Sequence, residues 1–246
     1  MSPSKREYER RRYEKWQQRQ AAREARRRRQ RALIAAGVVG VLVVGAGVAA
    51  ALVALGGSDD APSAADTSSP AADALAPDPA LAEGRAWTGS LRTSQGDVAF
   101  ELDGANAPQA VANFVSLAQD SFFDSTACHR LVTSGIHVLQ CGDPTGTGTG
   151  GPGYTWGPIE NAPADDVYPA GTIAMARVGG DGASMGSQFF LVYEDSTIPS
   201  DAAGGYTVFG RITSGLDVVQ AIADAGNGSD GVAPALDVII EGVETQ

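Results

Sequence analysis

The chain has 246 residues and a formal net charge of −11. Residues 1–31 carry 13 of its 18 basic and 4 of its 29 acidic side chains, leaving 5 and 25 to the rest, so a segment of net +9 precedes one of net −20. The acidic part repels phosphate, which argues against nucleic-acid binding, and the absence of lysine after Lys15 rules out a Walker-type phosphate loop there.

In residues 1–31, Glu7, Glu9, Glu14 and Glu24 are interspersed among the cations, a pattern that reads as helical rather than as a disordered nucleic-acid arm. The tail is expected to act as a topology signal and to adhere to anionic lipid headgroups. Residues 32–55 form an uncharged apolar run of 24, long enough to cross a bilayer. A secretory signal peptide is the rival, but its apolar stretch is about 7–15 residues and its basic leader shorter. Arg26–Arg29 and Arg31 flank the run on one side and Gly-Gly-Ser-Asp-Asp on the other. The positive-inside rule therefore predicts a single-pass cell-membrane protein with a cytoplasmic N-terminus and an extracytoplasmic C-terminal domain. Residues 56–84, rich in Ala, Pro, Ser and Asp, cannot bury a core and read as a flexible linker. The folded domain is expected at 85–246.

Within it, two alternating segments, Trp87–Thr93 and Val98–Leu102, flank turn residues and predict a hairpin. Pro108 opens a helix with Val111, Phe114, Val115 and Ala118 on one face, and a second helix is expected at Leu216–Ala225. Six more short apolar runs predict strands, including Ala127–Val132 and Ile136–Gln140. Eight strands and two helices suggest a mainly β fold, a closed antiparallel barrel capped by the helices. Ser184 sits in a GxSxG match, but His129 and His137 both precede it and a strand pattern follows, which excludes a nucleophile elbow. Two histidines without HExxH or CxxC argue against a metal site. Cys128 and Cys141 flank a predicted hairpin; a cross-strand disulfide and two buried thiols both fit.

The run Cys128-His129-Arg130-Leu131-Val132, followed by Gln140-Cys141-Gly142-Asp143-Pro144-Thr145-Gly146-Thr147-Gly148, resembles the HRV…QGGDPTGTG signature of cyclophilin-type peptidyl-prolyl isomerases. Ile173–Ala176, Gly186–Phe190 and Tyr206–Gly210 are similar to that family in the right order, and the likeness spans about 88–245. It implies an eight-stranded barrel with two helices, no cofactor, proline-containing polypeptide segments as partners and a monomer. By resemblance Arg130 points at the prolyl nitrogen and Gln140 holds substrate backbone and the arginine. Phe190 floors the proline pocket and Gln188 contacts peptide backbone. The other implied substrate-binding positions are His137, Val138, Gly148, Ala176, Arg177, Ile198 and Tyr206.

Several positions depart from the family pattern. His137-Val138 stands where Phe-Met is usual, after two extra turn residues, so His137 either replaces a pocket aromatic or points outward; Arg177 replaces an asparagine whose implied substrate contacts run largely through backbone. Tyr206 replaces a frequent pocket histidine, and Thr197-Ile198 replaces Trp-Leu ahead of an insertion through Gly205. A tethered extracytoplasmic prolyl isomerase is the expectation; a non-catalytic proline-peptide-binding module and an envelope scaffold are the alternatives. Without the tryptophan, cyclosporin-type ligands should bind weakly, so an inhibition assay that returned a submicromolar constant would refute this reading.

Overall fold

The computed structural model describes residues 76–246, so the tail, the expected span and residues 56–75 of the linker lie outside the described residues. Among the described residues no helix is long and apolar enough to cross a membrane. The folded body begins before residue 85, inside the expected linker. Pro79–Ala82 form a 3-10 turn with Asp78 as its cap, and Ala82 is fully buried. The indole of Trp87 donates to Ala82 O at 2.9 Å, and Gln109 reaches Pro77 O at 2.9 Å. One buried alanine and these hydrogen bonds tie down a segment whose composition reads as linker.

Strands β1 (Ala86–Thr93) and β2 (Gly96–Asp103) form the expected hairpin. The Thr93 hydroxyl closes its turn, donating to Gly96 O at 2.7 Å while accepting from the amides of Gln95 and Gly96. Trp87, Leu91, Val98, Phe100 and Leu102 are buried, the period-2 face the sequence predicts. Helix α1 (Pro108–Gln119) inserts Phe114 among Phe100, Phe123, Phe189 and Phe209, with ring centroids 5.0–5.8 Å apart. Nine further strands follow: β3 (Thr126–Ala127), β4 (Arg130–Ser134), β5 (Ile136–Cys141), β6 (Val167–Tyr168), β7 (Thr172–Met175), β8 (Phe189–Val192), β9 (Ser196–Thr197), β10 (Val208–Ser214) and β11 (Ile239–Thr245). Helix α2 (Leu216–Asp224) precedes the last.

All pairings are antiparallel, and the main sheet runs β3-β11-β1-β2-β10-β7-β8-β5-β4. It is a curled half-barrel of nine strands among the described residues where eight were expected, and an isolated bridge between Ala127 and Asp143 links β3 to the end of β5. The run read as one strand, Ala127–Val132, is split by Cys128-His129 into β3 and β4, which form the two ends of the ladder. Strands β6 and β9 pair separately as a short ribbon. The main core lies on the concave face. Alternation along β5, β7 and β8 sends Leu139, Met175, Phe189 and Leu191 into it. Their neighbours Val138, Ala174, Phe190 and Val192 face the opposite way. They build a second cluster there with Tyr168 and Ile198.

Helix α1 begins without a side chain of its own at the cap, because Ala107 occupies that position. A distant carboxylate does the work: Glu160 accepts the amides of Gln109 and Ala110 at 3.0 and 2.9 Å. An anion on exposed helix N–H groups contributes about 1–2 kcal/mol. Glu160→Ala should lower stability by that amount in urea titrations and Glu160→Gln by less; an unchanged midpoint in the alanine variant would refute the cap.

Candidate functional site

Residues directly opposite in neighbouring strands point to the same side. The register aligns Arg130 with Gln140, Gln140 with Phe190, Phe190 with Ala174, and Ala174 with Val208. The sheet therefore brings Arg130, Gln140 and Phe190, three of the positions singled out in sequence, into one row on the convex face. Arg130 donates to Gln140 Oε1 at 3.2 Å, and Gln140 Nε2 donates to Gln188 Oε1 at 2.8 Å. Gln188 Nε2 in turn donates to the carbonyls of Gly148 and Gly150 at 3.0 and 2.8 Å.

The glycine loop that offers those carbonyls is wrapped around Asp143, which is fully buried. Its carboxylate accepts the amides of Thr145, Thr147, Gly148 and Gly150 and the Thr145 hydroxyl, at 2.6–3.1 Å. Burial pushes the Asp143 carboxyl up, but these donors outweigh it and hold the group below the usual carboxylate range. A Cβ at Gly150 would collide with Asp143 Oδ1, so the loop can close this tightly only on glycine. Asp143 was not singled out in sequence; its one signal was a carboxylate opening a run of Gly and Thr, which is loop-turn chemistry.

Beside the row lies the second apolar cluster. Phe190, 5% exposed, belongs to it with Val138 and Ile198, and the partly buried Ala176 and Tyr206 pack against it. The rings of Phe190 and Tyr206 meet edge to face at 5.7 Å. Val132 and Ile136 also belong here and were missed, although counting back by twos from Gln140 and forward from Arg130 reaches both.

Two of the implied substrate-binding positions have side chains engaged elsewhere. His137 falls on the other face of β5 from Val138, because neighbours in a strand alternate. Its ring packs on Tyr193 at 5.7 Å, with Glu194 3.9 Å away, and Ile136 takes the place at the pocket that His137 was expected to fill. Arg177 is not a second free cation. Its side chain is fully buried and forms a two-pronged ion pair with Asp201 at 2.9 and 3.0 Å. It also donates to the carbonyls of Val178, Gly204 and Gly205 and lies over the Tyr206 ring at 4.6 Å. The guanidinium thus clamps the inserted loop and backs Tyr206. Of the states open to the cysteines, the structure has the disulfide, Cys128–Cys141, which brackets Arg130 and Gln140.

Electrostatically the site turns on one contrast. Arg85, Arg92, Arg177 and Arg211 pair with Glu83, Glu244, Asp201 and Glu101. Arg130 alone among the described arginines has no carboxylate partner; its acceptor is the neutral amide of Gln140. A cation beside an apolar cluster and held by neutral dipoles can stabilise electron density that develops nearby.

A family model described as "Cyclophilin type peptidyl-prolyl cis-trans isomerase/CLD" matches residues 89–245. A relative from Mycobacterium tuberculosis (strain ATCC 25618 / H37Rv), "Probable peptidyl-prolyl cis-trans isomerase B", is 46% identical over 169 residues, covering 63% of this chain and 53% of its own. The chain thus spans about half the length of its mycobacterial relatives. "Peptidyl-prolyl cis-trans isomerase B" of Bacillus subtilis (strain 168) is 42% identical over 123 residues, 50% of this chain and 80% of its own. A solved cyclophilin-type isomerase from Cryptosporidium parvum superposes with a TM-score of 0.57 at 28% identity, covering 66% of this chain and 98% of that one. The same enzyme solved in the presence of the dipeptide Ala-Pro superposes with a TM-score of 0.56 at 28% identity, covering 65% and 98%.

The Arg177–Asp201 clamp carries a pH prediction. The Arg177 guanidinium, with the amides of Gly180 and Ala203, holds the Asp201 carboxyl far below the usual carboxylate range. A carboxylate depressed in the folded state supports structure at all pH above its ordinary value near 4 and loses that support only as pH falls through the depressed one. NMR shifts of the 199–205 loop should therefore hold steady from neutral pH to about 3. Asp201→Asn should release the loop at every pH, seen as faster amide exchange; unchanged exchange in that variant would show that the ion pair does not hold it.

Proposed function

Since the chain belongs to the family of cyclophilin-type peptidyl-prolyl cis-trans isomerases, we propose that it catalyses rotation about X-Pro bonds, with Arg130 as its catalytic cation. The observation that carries this reading is the Arg130 guanidinium, free of any carboxylate among the described residues and in one cross-strand row with Gln140 and Phe190, a member of the second apolar cluster. Rotation of the imide is slow because C–N conjugation sets a barrier of about 20 kcal/mol. At the twisted geometry the nitrogen lone pair leaves conjugation and becomes basic. A guanidinium N–H aimed at it stabilises that geometry more than either planar isomer, which is the condition for acceleration. Lowering the barrier by about 7 kcal/mol corresponds to roughly 10⁵-fold in rate.

In this reading the other residues position the substrate. The proline ring rests on Phe190 between Val138 and Ile198, while Gln140 and Gln188 offer amide groups to the peptide backbone beside it. Gln140 also fixes the guanidinium. Tyr206, backed by Arg177, forms the wall where the family often has histidine. Neither a covalent intermediate nor a proton transfer is needed.

The proposal extends to an address. The +9 segment, the 24-residue apolar run and the −20 remainder together support a domain tethered outside the membrane, its basic tail on anionic lipid, acting as a monomer on exported polypeptides as they fold. The disulfide fits an oxidising compartment.

The decisive measurement is prolyl isomerisation of a short proline peptide by the full chain solubilised in detergent, with Arg130→Ala beside it. The variant should lose about a hundredfold in kcat/KM, the scale set by removing one preorganised donor. An undiminished rate would end the role given to Arg130, and an inactive wild type that still binds the peptide would make the domain a proline-binding module instead.

A further inference from the structure

A second concavity adjoins the site. It encloses about 600 Å³, within the range of ligand sites, and shares Arg130 and Gln140 with the row described above. None of the pocket residues Val138, Phe190 and Ile198 lines it. One wall is the stretch Ala127–Arg130 with Gly148; the other is the segment from Asp230 to Ile239. That second wall is fixed to the sheet. Leu131 N donates to Val232 O at 2.8 Å, and Asn227 Nδ2 donates to Leu131 O at 2.9 Å. Asp230 Oδ1 accepts the amides of Val232 and Ala233, both at 3.0 Å. The groove is therefore built before anything enters it.

Its lining combines three features. Val232 and Leu236 are 50% and 39% exposed, apolar surface left open beside Pro234. The ring of His129, whose two nitrogens are buried, forms part of the first wall. Asp230 and Asp237 stand on the rim, and neither is in an ion pair among the described residues.

We propose that this groove is a flank subsite, which receives the substrate residues adjoining the proline on one side and favours lysine or arginine among them. The inference rests on the reading that Arg130 serves an X-Pro bond, since the groove and the row share that residue. A chain lying across Arg130 has two apolar areas to occupy, the proline pocket and the face of Val232, Pro234 and Leu236. An extended peptide advances about 3.3–3.6 Å per residue, so a side chain only a few positions from the proline enters the second area. There its charge meets two carboxylates in a domain with few cations, which selects a basic residue over an acidic one.

The test uses the full chain in detergent and three peptides: a short one with little beyond the proline, and two longer ones that differ only in lysine or glutamate at the flanking positions. At low salt the lysine peptide should have a kcat/KM about threefold to tenfold above the glutamate peptide, the scale of two exposed charge pairs. The preference should shrink with added salt. Asp230→Asn with Asp237→Asn should abolish the preference and leave turnover of the short peptide unchanged. The remote pair Asp97→Asn with Asp217→Asn, equal in charge, should preserve it. Equal rates for the two long peptides, or equal loss of preference in both double variants, would overturn the subsite. If the short peptide is not isomerised, the isomerase reading fails separately. Calorimetric titration of the same long peptides then decides the groove: lysine preference that depends on Asp230 and Asp237 upholds it, and equal affinities overturn it.

Discussion

The site depends on a guanidinium that is held in place without being neutralised. A carboxylate beside Arg130 would fix it more strongly, but it would also take up the field that the proposed mechanism draws on. The amide of Gln140 avoids this, because it accepts at 3.2 Å and brings no net charge. The hydrogen bonds beyond it all run the same way, from Gln140 to Gln188, from Gln188 to the carbonyls of Gly148 and Gly150, and from the loop amides to Asp143. The compensating anion exists, but it is buried and several links away, with five donors around it. Bonds aligned in this way polarise one another, so the row is stiffer than its separate contacts suggest.

That arrangement is possible because one sheet has two apolar faces. Leu139, Phe189 and Leu191 build the concave core around Phe114, while Val138, Phe190 and Val192 from the same strands build the convex pocket. A strand buried on both sides cannot slip by one residue without putting every side chain in the wrong cluster. The precision of the Arg130–Gln140–Phe190 row is therefore inherited from core packing. The pocket floor is set by the same register that stabilises the fold.

What the sequence made legible follows the range of the interaction concerned. Alternation and helical spacing are local, so β1, β2, α1 and the strands around Gln140 could be placed from pattern. Strands β6 and β9, two residues each, are too short to have a period. His137 shows a different failure. Its parity with Leu139 was present in the sequence while the family likeness suggested the pocket, so both positions stayed open and alternation along β5 decides between them. Arg177 could not be read at all, since its partner Asp201 lies 24 positions away in an inserted loop with no regular spacing. Asp143 is similar, because a carboxylate that gathers loop amides makes sense only once the loop is folded back on it.

The cross-link between Cys128 and Cys141 has a mechanical consequence. A pull transmitted along the chain reaches Cys128, crosses the sulfur–sulfur bond and leaves from Cys141. The residues between them, Arg130 and Gln140 included, hang outside the covalent load path as a slack loop, 13 positions from one sulfur to the other. Tension on either end of the domain would strain the surrounding strands before it drew this arginine and this glutamine apart. On the proposed reading, a site that holds polypeptides still being drawn into shape would keep its own geometry while the load passes around it.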